Sequence, residues 1–187
     1  MVERSVPAAD ARYEWYSHQA MAAEVADGND PAAAGEIGGE WGELARRLAE
    51  SRLSFAAFSA HSEEQWQGAG GDAMRGALTR ATAWLDHAVE VSASVGDSVG
   101  RQADVAARAR ADMPPPVDYD PAGMIRTAAA SGNLAAMAGL ADAMDERRAA
   151  SEAARRRAID VMNARDTALG HLAGQPAFDR PPSLGAS

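Results

Sequence analysis

The sequence predicts an all-α fold, an elongated antiparallel helical hairpin with flanking helices, and three observations carry that prediction. Alanine makes up roughly a quarter of the chain and β-branched residues are few, so the intrinsic preference is helical almost everywhere. Aromatic residues are only 5 % of the 187. Apolar area therefore has to be buried by helices lying close along one another rather than around a thick core. Apolar residues also recur at helical spacing in long runs that Gly and Pro interrupt.

Taken in order, residues 1–11 read as a disordered N-terminus, residues 12–172 as one helical domain, and residues 173–187 as a disordered tail containing Pro176, Pro181 and Pro182. A short first helix over about 10–26 carries Tyr13, Trp15, Tyr16, Met21 and Val25 and ends in the breaker Asp27-Gly28-Asn29-Asp30-Pro31. A second helix begins at 31 or 38 and runs to 65, with Trp41, Leu44, Leu48, Phe55 and Phe58 mostly three, four or seven residues apart. Gln67-Gly68-Ala69-Gly70-Gly71 should stop it, because so many glycines cost too much backbone entropy inside a helix. From Asp72 to about Met113, Met74, Leu78, Ala81, Leu85, Ala88, Ser92, Val95 and Val99 alternate in spacings of four and three, a heptad seam. A helix of that length has to fold back against its predecessor as an antiparallel hairpin.

Pro114-Pro115-Pro116 forces an extended connector, and Pro121 opens a short helix to about Ala130. A last helix over about 133–172 carries Leu134, Met137, Leu140, Met144, Ile159, Met162 and Leu169.

Composition excludes several function classes. The formal charge is −9, and the Arg clusters at 46–47, 147–148 and 155–157 lie among acids, so nucleic acid is not an expected partner. All 18 basic residues are Arg, a bias that fits a GC-rich genome such as an actinobacterium's. There is no Cys to form disulfides, thiolate metal sites or thiol nucleophiles. The N-terminus lacks the apolar core of a signal peptide, and no run is long enough to be a stable membrane span. His18, His61, His87 and His171 show no metal-binding spacing, the glycine run is followed by no Lys-Ser/Thr, and there is no Gly-x-Ser-x-Gly elbow. The expectation is a protein without cofactor, metal or catalytic residues.

The order of features is more specific than any one of them. An aromatic first helix, Trp41-Gly42-Glu43-Leu44-Ala45, about twenty helical residues, Trp66-Gln67-Gly68 at the hairpin tip, Met74, and then Trp84-Leu85 in a long Ala-rich helix follow one another. This resembles the N-terminal PPE domain of actinobacterial type VII secretion substrates, in the WxG superfamily, over about residues 12–172. The Pro-x-hydrophobic connector and Asn133-Leu134 are similar as well. The chain departs at its start, where the Pro-Pro-Glu that names the family is replaced by Val6-Pro7-Ala8. The resemblance implies a type VII (ESX-like) secretion substrate or export partner that pairs with a small PE-like or WxG-type helical hairpin into a four-helix bundle. It also implies a cytosolic chaperone bound at the hairpin tip, a secretion ATPase, and folded export to the surface or medium. The family's Tyr-x-x-x-Asp/Glu signal is missing, because Tyr13, Tyr16 and Tyr119 are followed at the fourth position by Ser17, Ala20 and Gly123. A signal supplied by a partner fits that absence.

The candidate recognition residues are Trp66, Gly68, Trp41, Leu44, Leu53, Phe58, Met74, Trp84 and Val91. An indole beside a glycine turn can lie over the tip, and Gly68 leaves room for a partner's approach. Packing on the first helix is the alternative role for Trp66. Residues of the seam from Met74 to Val99 serve the hairpin's own core first. Leu53, Phe58, Trp84, Val91 and Val105 do not all fit that seam, so they are candidates for a second, partner-facing stripe, unless the last helix covers them. The competing function is a cytosolic, self-associating coiled-coil structural protein, in which the seam makes a homo-oligomer and Trp66 is incidental.

Overall fold

The computed structural model describes residues 13–27, 30–174 and 176–183. The fold is all-α: every regular element among the described residues is helical. A 3-10 turn at Tyr13–Trp15 precedes α1 (His18–Ala26), α2 (Pro31–Gln65), α3 (Ala69–Asp112), α4 (Pro121–Ser131), α5 (Leu134–Ala138) and α6 (Leu140–His171). The predicted disorder of residues 1–11 lies outside the described residues.

The contacts divide the chain into two compact units, with α3 contributing residues 69–104 to the first and 105–112 to the second. Of the described residues, the first also holds 30–68 and those between His171 and residue 183, the second 13–27 and the run from the prolines to the end of α6.

In the first unit, α2 and α3 form the expected antiparallel hairpin. A side chain at Gly38 would meet Gly96 and Gly100, Arg52 pairs with Asp86 at 3.2 Å, and Arg75 donates to the Ser62 carbonyl. These pairings descend one helix as they climb the other. Asp30 starts α2 by accepting from the N–H groups of Ala32 and Ala33, with Pro31 at the first helical position. Buried Gly38, Ala45 and Ser62 on α2 meet a face of α3 that buries Leu85, Ala88, Val91, Ser92 and Gly96.

The glycine run stops α2 but does not delay α3, which begins at Ala69 and so includes Gly70 and Gly71. Gly68 alone takes a left-handed conformation, with φ of +93°, and its carbonyl accepts from Asp72 N–H. Gly71 serves a close approach instead: a Cβ there would lie 2.2 Å from the Trp66 carbonyl oxygen.

The second unit packs Tyr13, Met21, Val25, Ala109, Ala158 and Met162 into one core, flanked by Met113, Ile159 and Val161. The expected first helix is shortened because Ser17 caps α1 by accepting from Ala20 N–H, leaving Tyr13–Trp15 as a separate turn. The expected last helix is interrupted at Gly139. Gly139 N–H still reaches Ala135 and its carbonyl accepts from Ala143, so the hydrogen-bond ladder bends without being lost. Gly132, with φ of +61°, ends α4.

Residues 176–183, predicted to be disordered, form an extended segment against the hairpin, as their hydrogen bonds to α3 show.

Candidate helix-docking surface

The site is built on α2, whose apolar residues serve two faces. Gly38, Trp41, Ala45, Leu48, Arg52, Phe55, Ser59 and Ser62 alternate in steps of three and four, and this seam turns towards α3. Its half near the tip is polar except for Phe55. A second series, Ile37, Trp41, Leu44, Leu48, Ser51, Phe55 and Phe58, runs beside it at the same alternation and shares Trp41, Leu48 and Phe55. Trp41, Leu44 and Leu48 are half-buried, whereas Ile37, Phe55 and Phe58 are exposed, Phe58 by 56 %. The apolar face of α2 is thus wider than α3 covers.

Acidic side chains border this second stripe, with Glu36, Glu40, Glu43 and Glu50 each one position ahead of or behind a stripe residue. Arg46 bonds Glu43 and Glu50 and holds the Glu43 carboxyl below its ordinary range by a direct hydrogen bond.

The tip is organised by one guanidinium. Arg75 donates to the carbonyls of Ser62 and Trp66 and pairs with Asp72 at 2.5 Å, which ties the end of α2 to the start of α3. Trp66 is 51 % exposed, and its indole reaches Gly70, where a Cβ would lie 4.0 Å from Cζ2. A Cβ at Gly68 would meet nothing within 4 Å, so that side of the tip is open.

The structure sorts the remaining predicted residues differently from one another. Val91 is buried in the hairpin at 2 % exposure and cannot belong to an open stripe. Met74 is half-buried near the tip. Leu53 is exposed but stands five positions from Phe58, about 140° around the helix, so the two do not share a face. A single exposed Leu needs no special cause. Val105 belongs to the second unit, where it lines a groove of about 380 Å³ with Arg108, Asp160, Val161 and Arg165.

Trp41 and Trp84 are engaged by a residue pair that the sequence reading missed. Phe178 stacks on Trp41 with ring centroids 6.1 Å apart, and the Trp84 indole donates to the Asp179 carbonyl at 3.0 Å. A lone Phe in a proline-bracketed segment was the available signal, and composition hid it. No protein-family model and no curated protein matches the chain.

In the second unit the polar residues knit elements together. The Tyr13 hydroxyl donates to Asp166, Arg165 donates to that hydroxyl at 3.0 Å and pairs with Glu24 at 2.7 Å, and His18 Nε2 donates to the Pro114 carbonyl at 2.9 Å. Burial, then the bond to Asp166, pushes the Tyr13 phenol up to about 12. Among the described residues, no three His, Cys, Asp or Glu side chains gather into a metal-binding group, and no helix is long and apolar enough to cross a membrane.

Proposed function

We propose that this chain is a non-catalytic helix-docking protein, a PPE-like substrate or export partner of a type VII secretion system that pairs with a small PE-like helical hairpin. The supporting observation is the second apolar stripe of α2, from Ile37 to Phe58, which the α2–α3 pair leaves partly exposed. A partner helix laid along it would convert exposed apolar area into bundle core. The acidic border asks for Arg or Lys on the partner's flanks. The half-exposed Trp66 beside the open Gly68 suits recognition of the tip by a cytosolic chaperone before folded export.

The test is immunoblotting of culture filtrate and lysate from the native host for wild type, Trp66→Ala and Phe58→Asp, with lysate abundance controlling for stability. Wild-type protein in the filtrate, lost in both variants at unchanged lysate level, is the expected result. Wild type confined to the lysate beside an active secretion system overturns the reading, and self-association through the same stripe then takes its place.

A further inference from the structure

The segment after α6 does something that its composition hides. The Leu172 carbonyl accepts from Ser98, the Ala177 carbonyl accepts from His87 Nε2 at 3.3 Å, and the Asp179 carbonyl accepts from the Trp84 indole. The partners descend α3 as the segment advances, so it runs antiparallel to α3. From Ser98 to Trp84 the helix rises about 21 Å. Seven residue steps separate Leu172 from Asp179, a reach of about 23 Å at full extension. Pro176, Pro181 and Pro182 favour that shape, because each fixes φ and has no N–H to leave unpaired.

Phe178 crosses to the other helix and stacks on Trp41. Trp41 lies near the N-terminal end of the α2 stripe, one step after Ile37. One short segment therefore occupies aromatic residues of both hairpin helices.

The attachment is light. Among the described residues it consists of a few bonds to backbone carbonyls, a His87–Asp179 side-chain contact at 3.5 Å and one aromatic pair, and Phe178 itself stays 44 % exposed. Segments held this way open well below the cost of unfolding a core.

We infer that residues 176–183 form a displaceable strap over Trp41 and Trp84, so that the chain covers the Trp41 end of its own docking stripe until an incoming apolar side chain takes the place of Phe178. What displaces it rests on the docking reading above; the strap itself does not. The cover lowers apparent partner affinity by the fraction of time it is closed and lessens exposed apolar surface before a partner arrives.

The experiment uses the full chain carrying Trp15→Phe and Trp66→Phe, so that emission reports Trp41 and Trp84. Acrylamide quenching is compared with and without Phe178→Ala, and a fluorescein-labelled synthetic peptide of residues 172–183 is titrated by polarisation. Phe178→Ala should raise the quenching constant at least twofold with little change in melting midpoint, and the peptide should bind this variant at least tenfold more tightly than its parent. Unchanged quenching would mean that no strap protects the indoles. A melting midpoint that collapses with Phe178→Ala would make the segment permanent core and equally overturn the proposal. A strap that opens as expected in a chain that is never exported removes only the secretion reading.

Discussion

Gly38 of α2 and Gly96 of α3 meet backbone to backbone: a Cβ on Gly96 would lie 2.8 Å from the Gly38 carbonyl oxygen, and one on Gly38 would lie 3.0 Å from that of Gly96. Close approach at this crossing lets a chain poor in aromatics bury apolar area with small side chains. Gly96→Ala should therefore cost about 1–3 kcal/mol through overpacking. Gly35 and Gly39 have nothing within 4 Å of a built Cβ. Alanine at either should be neutral or stabilise by up to about 1 kcal/mol through helix propensity. Thermal melts of the three variants check both halves, and equal effects would contradict the crossing.

Ser92 is fully buried in the α3 face, and its hydroxyl has no hydrogen-bond partner among the described residues. Removing a buried, unpaired hydroxyl relieves its desolvation cost, so Ser92→Ala should raise stability by about 1 kcal/mol. Urea denaturation at constant m-value is the measurement. A loss of more than that amount would mean that the hydroxyl is satisfied.

At the tip the neighbours Gly70 and Gly71 should behave oppositely. Gly71→Ala places a methyl against the Trp66 carbonyl and should cost about 1–3 kcal/mol. Gly70→Ala meets only the edge of the Trp66 indole and should be tolerated. Hydrogen exchange around residues 62–75 would localise the difference, and equal melts for the two variants would count against this tip geometry.

Tyr13 titrates near 12 instead of 10.0, because burial and the bond to Asp166 favour the neutral phenol. The unfolded chain loses that proton first. The resulting stability is whole below pH 10 and is lost as pH rises from 10 towards 12. Tyr13→Phe should cost about 1–2 kcal/mol near neutrality, since Asp166 loses a donor. It should also flatten the alkaline decline, read by melts against pH with phenolate absorbance alongside. An unchanged decline would show that Tyr13 is not its source.

Helices and their breaks were legible because their causes are local. Asp30-Pro31 starts α2, Gly68 supplies the positive φ, Pro114–Pro116 interrupts, and Asp120-Pro121 starts α4. The α3 seam through Leu85, Ala88 and Ser92 was legible for the same reason, since a helix presents every third or fourth residue on one side. The site was legible only in outline. Trp41 and Phe58 lie on the second stripe of α2 and Trp66 at the tip, but spacing could not separate buried Val91 from exposed Phe58.

Sequence by itself determined that this chain is helical, where its main breaks fall, and that some apolar residues stand outside the α3 seam. Those properties follow from propensity and periodicity, which act within a few residues. The tertiary structure alone decided that Gly38 abuts Gly96, that Gly71 makes room for the Trp66 carbonyl, and that Phe178 stacks on Trp41. Each joins positions through space by backbone clearance or ring geometry, and neither leaves a periodic trace along the chain.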